Sequence, residues 1–458
     1  MSEAGPDLVV AGAGGGLLAA LRAARNGLQV LVVEASEHYR RGNNTSISTA
    51  MIPGVGSRWQ SAAGVDDSVE RFVDDVARKT KGQGDLALAA ALARASAPML
   101  EWMADDLGFP LSLVTDFQYP GHSAHRCHTL EGRHGSVLLD QLVRAVEAEE
   151  RIDLFVPARL TDVLLDDDGA VRAVVVTTPD GSSEEIETRA VLLATNGYAG
   201  NPELVAQYLP EIADAQYHGS ETSRGDALRI GTALGADVAH LDAYQGHAAL
   251  SKHASTLVGW ATVMHGGVVV NAEGRRFGDE TAGYSEFAPL LAREPGAEGW
   301  IIVDREIHTR CLAFTDYVHC VEAGAVLWAD DVEQLAAVTK LPVDALAAEL
   351  AATAAAATGE RVDDFGRTDF DHPLAGPYAA VKIVPALFHS QGGLVVDADA
   401  RVLRGDGTAI EGLYASGGAA QGISGHGASG YLAGNGLLPA LGLAYLAADH
   451  VASAHPDA

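Results

Sequence analysis

The stretch "DLVVAGAGGGLLAALRAARNGLQVLVVEAS" (Asp7–Ser36) constrains this chain more than any other. An apolar run (Leu8–Ala11) enters a glycine turn, then an alanine-rich helical segment, then a second apolar run ending at Glu34. That order is a βαβ unit with the requirements of a dinucleotide at fixed offsets. Glycines let the backbone approach a pyrophosphate, the helix N-terminus faces its charge, and the acid closing the second strand takes ribose hydroxyls. The spacing is Gly12-x-Gly14-x-Gly16, with Leu17 where a third glycine usually stands. A one-residue deletion that brings Gly16 into that role accounts for it. A glycine motif alone is weak, but strand, helix and acid in one unit make it specific.

At 458 residues the chain exceeds one ordinary core, so two or three domains are expected. Hydrophobic content of 48% with 51 glycines suits a glycine-rich α/β enzyme. The net charge of −30 lacks the basic footprint of a nucleic-acid binder and reads first as solubility. Cys127, Cys311 and Cys320 form no CxxC pair, which argues against a disulfide framework, a zinc site or a cluster-carrying segment. No run reaches the roughly 18–20 uninterrupted apolar residues of a membrane helix, and "MSEAGP" leaves no room for a signal core. A soluble cytoplasmic protein is expected.

Residues from about 66 to 150 read as helices interrupted by an irregular stretch, "TDFQYPGHSAHRCHTLEGRHG". Strands follow, among them a hairpin turning at "DDDG" and "IETRAVLLATNGYAGN". "VDALAAELAATAAAATG" reads as a surface helix of high propensity. Strands and a final helix, "NGLLPALGLAYLAADHV", end the chain. The fold class expected is α/β: a Rossmann-like nucleotide-binding domain in two pieces, 1–240 and 372–458, with an α+β capping domain, 241–371, inserted between them.

Several stretches together resemble the flavoprotein family of fumarate reductases, succinate dehydrogenases and 3-ketosteroid dehydrogenases. "VVAGAGGG…VVE" is similar to its FAD pyrophosphate and ribose site, and "LLATNGYAGN" to its A-T-G-G-[FY]-x-x-N turn with Asn196 for one glycine. "SRGDALRIGTALGADV" resembles its GDG-helix and "GGVVVNAEGRRFGDE" its capping-domain run. "FHSQGGLVVD" resembles H-T-x-G-G-[LV], and "IEGLYASGG" resembles I-x-G-L-Y-A-x-G-E with Gly418 for the glutamate used toward the ribityl chain. The resemblance implies a glutathione-reductase-like FAD domain. Its cofactor residues here would be Gly12, Gly14, Gly15, Gly16, Glu34, Ala35, Asn44, Thr45, Ser46, Leu160, Ala194, Thr195, Asn196, Gly197, Asp226, Gly417, Gly418, Asn435, Leu437 and Leu438. It also places the N-terminus of the last helix at the flavin's pyrimidine edge, where the helix dipole stabilises negative charge. "GNNTSISTAM" has no histidine at the attachment position of covalent members, so non-covalent FAD is expected.

Fumarate reductases hold two carboxylates with arginines and histidines. The arginine expected after the N-E pair is absent from Glu280-Thr-Ala-Gly-Tyr284, and "SGYLAGN" replaces N-R-x-G-G-N. Unpaired carboxylates in a dry pocket are costly. The pattern is closer to the 3-ketosteroid Δ1-dehydrogenase-like branch. Tyr284 matches the branch's tyrosine four residues after the glutamate, and Tyr119 is the candidate for its second. Tyr431 with Gly434 approximates its third tyrosine and glycine, at a spacing of three rather than four. This implies Tyr284 as proton acceptor beside a carbonyl, aided by Tyr119 or a histidine, with Tyr431 and the backbone N–H near Gly434 as an oxyanion hole. His247 and His389 match family positions near flavin or substrate. For any single tyrosine or histidine here, a hydrogen-bonded core residue is the ordinary alternative.

His125 and His128 lack nearby carboxylates, so no metal is expected; they read as a pocket-lining loop, and His265 as structural. The leading function is FAD-dependent α,β-dehydrogenation, or the reverse ene-reduction, next to a ketone of a small or polycyclic substrate. The alternatives are a fumarate- or urocanate-type reductase of an unsaturated carboxylate, a flavoprotein subunit of an electron-transfer complex, and a non-catalytic flavin-binding protein. The partner expected is a small-molecule substrate; electron acceptor or donor, substrate identity, direction and oligomeric state are not legible.

Overall fold

The apolar runs flanking the glycine turn become the middle of a sheet. The structure, a computed structural model, describes residues 5–454. Leu8–Ala11 pairs in parallel with Val30–Val33 on one side and Val191–Leu193 on the other. Ile152–Phe155 and Ala409–Ala415 extend the sheet in parallel, and Arg401–Leu403 closes one edge antiparallel. Parallel strands covered on both faces need continuous apolar sequence, which "LVVA", "VLVV" and "VLL" provide.

The helix Gly16–Arg25 lies against this sheet. A Cβ on Gly16 would stand 2.7 Å from Val10 Cγ1 and 3.2 Å from the Ala194 Cβ, so Gly16 serves as the close-contact glycine of the motif. Leu17, 1% exposed, turns into the core instead. Burying it stabilises by about 1.5–3 kcal/mol. The final helix, Leu437–Ala454, is long and apolar enough to cross a bilayer, yet eleven of its eighteen residues are buried here. It is a core helix, meeting Gly16–Arg25 and Leu86–Asp105.

The second sheet is built on one long strand, Tyr378–Ser390. That strand pairs antiparallel with Tyr244–Ser251, Gly299–Asp304 and Val326–Ala329, and parallel with Gln216–Tyr217; Val268–Asn271 adds at the far edge. The sheet therefore takes strands from both sides of the 241–371 segment expected for the cap. The "DDDG" turn joins Arg159–Leu165 to Val171–Thr177, and the alanine-rich run forms the helix Val343–Ala357.

The charged residues of "RRFGDE" brace this second unit from inside. Arg276 donates to both carboxylate oxygens of Glu280 at 2.8 and 2.6 Å, with Asp363 and Arg367 completing a buried cluster. The Glu280 carbonyl accepts from Trp260 Nε1 at 3.0 Å. The turn that delivers Tyr284 is thus held from beneath.

Candidate active site

Both sheets send their strand ends to one cavity of about 540 Å³. The nucleotide side begins with the glycine turn. Gly12 has φ of 111°, and a Cβ there would meet the Ala194 carbonyl oxygen at 2.4 Å. On Gly15 it would meet the Ala440 carbonyl oxygen at 2.6 Å. Glu34 accepts from the N–H of Ala13 at 2.8 Å and of Ser36 at 2.7 Å, so the acid also ties the turn to the second strand. Asn44 bridges Phe388 and Ser220, donating to the carbonyl of one and accepting from the N–H of the other. Asp226 pairs with Arg159.

These residues suit FAD. Three buried polar atoms in the cavity wall, Thr195 Oγ1, Ser416 Oγ and Asn435 Oδ1, have no partner in the protein, which buried polar groups seldom tolerate. A phosphate- and hydroxyl-rich dinucleotide supplies such partners. Ala35, Thr45, Leu160, Ala194, Asn196, Gly417, Gly418 and Leu437 also line the cavity. Gly16, Ser46, Gly197 and Leu438 stand behind the wall. Ser46 donates to the Asn43 carbonyl, a Cβ on Gly197 would collide with Ser390 Oγ, and Leu438 is core.

Asn196 and Gly418, the two departures flanking this wall, fit each other. Asn196 adopts φ of 63°, the backbone region that favours glycine, and donates to Ser223 Oγ at 2.8 Å. Its Oδ1 would stand only 2.4 Å from a Cβ on Gly418. The asparagine side chain occupies the room that a side chain at 418 would need.

All six expected catalytic positions meet at the other end: Tyr119, Tyr284, Tyr431, His247, His389 and Gly434 line the same cavity. Tyr284 is half-buried, with its ring 5.8 Å from Tyr431 in a T-shaped arrangement and the two hydroxyls facing each other. Burial first, then the neighbouring Tyr431 and Tyr119, push its pKa well above the ordinary phenol range. Burial likewise raises Tyr119 and Tyr431. All three are phenols at neutral pH. The Tyr431 oxygen accepts from the Gly436 N–H at 3.2 Å, which leaves its own proton to donate.

His247 stacks on Tyr284, centroids 4.6 Å apart and planes 21° apart. Stacked rings cannot form an in-plane hydrogen bond, so His247 is not the group that shares the Tyr284 proton. Its Nδ1 accepts from the Ala249 N–H at 3.0 Å, placing the ring proton on Nε2. Burial, with His218 nearby, holds its pKa down at about 3. His389 is held down to about 4 by burial and is faced by the Gln391 amide, 3.0 Å from Nδ1. Gln391 is oriented by a chain from Asn435 Nδ2 through Ser424 Oγ to its own Oε1. His128 is a satisfied core histidine bonded to Ser57 and the Arg126 carbonyl.

Sequence reasoning passed over Trp260, Phe314, Phe388 and Gln391, which also line the cavity. Gln391 and Phe388 sat inside the quoted stretch "FHSQGGLVVD" and could have been found there; Trp260 and Phe314 carry no local signal. Among the described residues no group of three His, Cys, Asp or Glu side chains could hold a metal ion.

Residues 7–437 match the FAD binding domain family. A probable fumarate reductase of Shewanella frigidimarina is 30% identical over 454 residues, 98% of this chain and 75% of that protein. The open conformation of a flavocytochrome c3 fumarate reductase superposes with a TM-score of 0.79 at 29% identity, covering 98% of this chain and 78% of that one. The 3-ketosteroid-delta4-(5alpha)-dehydrogenase from Rhodococcus jostii RHA1, in complex with 4-androstene-3,17-dione, gives 0.75 at 23% identity, covering 98% and 97%. That last likeness concerns the fold alone. The chain belongs to the FAD binding domain family and is an FAD-dependent oxidoreductase acting on CH–CH groups, of the fumarate reductase type.

Proposed function

We propose that this enzyme interconverts a saturated ketone and its α,β-unsaturated counterpart, on a neutral, largely apolar substrate. FAD, when bound, supplies the hydride acceptor or donor for the β-carbon. The observation that carries the reading is the charge of the reacting end. Its titratable groups are three phenols and two imidazoles held neutral by burial. The arginines on the cavity wall, Arg41 and Arg159, belong instead to the loop after Glu34 and the pair with Asp226. A dicarboxylate would enter such an end without counter-charge, at a cost of several kcal/mol, about the size of a buried unpaired ion.

A ketone asks for what these residues offer. Tyr431 has a free O–H to give to the carbonyl oxygen. Gly434 N–H, buried on the cavity wall, donates to no acceptor among the described residues. Two such donors stabilise the oxyanion that forms when the α-carbon loses or awaits its proton. Tyr284 moves that proton. As a phenol of raised pKa it is ready to donate in the reducing direction, and must first be deprotonated to accept in the oxidising one. Trp260, Phe314 and Phe388 provide apolar wall and exclude water.

The second reading, reduction of an unsaturated carboxylate, is supported by the 30% identity to the Shewanella protein. One experiment separates them: anaerobic titration of the holoenzyme with cyclic ketones and enones, beside fumarate and urocanate with reduced viologen. The ketone reading expects flavin spectral change with the first group only. Fumarate turnover in the usual enzyme range, roughly 1–1000 per second, would overturn it.

A further inference from the structure

Behind the reacting end lies a buried ionic cluster with no place in the proposed chemistry. Arg126, 1% exposed, is gripped by Asp67 through Nε at 2.9 Å and Nη2 at 2.7 Å, and pairs with Asp75 through Nη1. The same Nη1 stands 3.1 Å from His122 Nδ1. A guanidinium only donates, so Nδ1 must present its lone pair and the ring proton sits on Nε2. Burial and the adjacent Arg126 hold His122 down at about 4, which keeps the ring neutral. Nε2–H therefore donates, and its acceptor, 2.9 Å away, is the Ala433 carbonyl.

That carbonyl and the Gly434 N–H are the two ends of one peptide unit. Gly434 has φ of 88°, and Pro53 stands where any side chain on it would go, 2.4 Å from the Cβ position. A peptide beside a glycine is free to rotate unless its carbonyl is held. A hydrogen bond accepted at the carbonyl also strengthens the donor at the other end, by about 10–30% per bond in a connected chain.

We propose that His122 is a positioning residue: it holds and polarises the Ala433–Gly434 peptide so that the Gly434 N–H meets the developing substrate oxyanion. Arg126 fixes the imidazole tautomer, and Asp67 and Asp75 fix Arg126. The inference rests on the ketone reading, because it needs an oxyanion at Gly434.

The test uses FAD-loaded protein and 4-nitrophenol, whose anion mimics an enolate and is read by difference absorbance. Wild type is expected to bind the phenolate in preference to the phenol. His122→Phe should lose that preference by about tenfold and lower kcat for the ketone by about tenfold with little change in KM, a fraction of the loss for removing a whole donor. His122→Gln, whose amide N–H reaches toward the same carbonyl, should restore most of both. His122→Phe with wild-type phenolate preference would overturn the inference and leave the ketone reading standing. Wild type that binds neither nitrophenolate nor any ketone would remove the ketone reading and the inference with it. Should His122→Phe fail to load FAD, ¹⁵N-histidine NMR of wild type decides: a neutral ring protonated at Nε2 supports the role, and one protonated at Nδ1 overturns it.

Discussion

The two ends of the cavity are built on opposite principles. The nucleotide end is backbone and small residues: glycines whose missing side chains make room, and polar atoms left without protein partners. The reacting end is large side chains, three tyrosines and two histidines, whose polar groups are paired or stacked and all kept neutral. One end is shaped to be filled by a charged ligand. The other keeps its five titratable side chains neutral by burial.

The most severe break falls at the first end. Gly15→Val would drive a side chain into the backbone of Ala440, which a flexible group could escape but a helix start cannot. The expected outcome is a folded or partly folded chain without flavin, measured as absorbance per chain after reconstitution. In wild type, acid precipitation should release the yellow colour into the supernatant; colour kept in the pellet would show a covalent bond.

Tyr284→Phe strikes the other end and should leave flavin content and melting temperature near wild type. The rate of flavin reduction by a ketone substrate should fall by about 10²–10⁴-fold, the value of a positioned acid–base group. A variant as fast as wild type would make Tyr284 a wall residue.

Acidity sharpens the contrast. Tyr284 is raised above the ordinary phenol pKa, so below it the deprotonated fraction grows about tenfold per pH unit. Ketone dehydrogenation should rise with that slope between about pH 6 and 9, while enone reduction, which uses the protonated phenol, stays flat. FAD affinity should not follow either curve. A plateau in dehydrogenation near neutrality would assign the proton to a group of lower pKa.

The smallest effect tests the fit of Asn196 to Gly418. Gly418→Ala should weaken FAD binding, and adding Asn196→Gly should recover part of the loss. The remainder comes from the Gly197 backbone nitrogen, 2.7 Å from the added Cβ. A coupling energy of about 0.5–3 kcal/mol is expected for residues in contact, read as FAD Kd by fluorescence titration. Additive losses would show that the two positions act independently on FAD binding.

These tests also mark what could be read beforehand. The βαβ unit, Gly16 in the third glycine's place and the tyrosine after Glu280 follow from local order, because a few neighbouring residues carry the whole signal. Asn196 and Gly418 looked like two unrelated losses until their contact across 222 positions was visible. His122 gave no sign at all: its partner is 311 residues away and is a backbone carbonyl, which has no residue type to recognise. The stacking of His247 on Tyr284 was equally hidden, since a motif names a position and not a ring plane.

The strand Tyr378–Ser390 has a practical consequence for exchanging parts between relatives. It holds the second sheet together, and near its end Phe388 and His389 reach the cavity wall. A graft cut at residues 241 and 371 would leave the imported cap without its central strand and leave the host with that strand paired only to Gln216–Tyr217. Junctions placed before Gln216 and after Ser390 carry the whole sheet across as one module. His389 and the aromatic wall beside it would travel with the cap, so that importing a new substrate roof also imports three of the six candidate positions, His247, Tyr284 and His389.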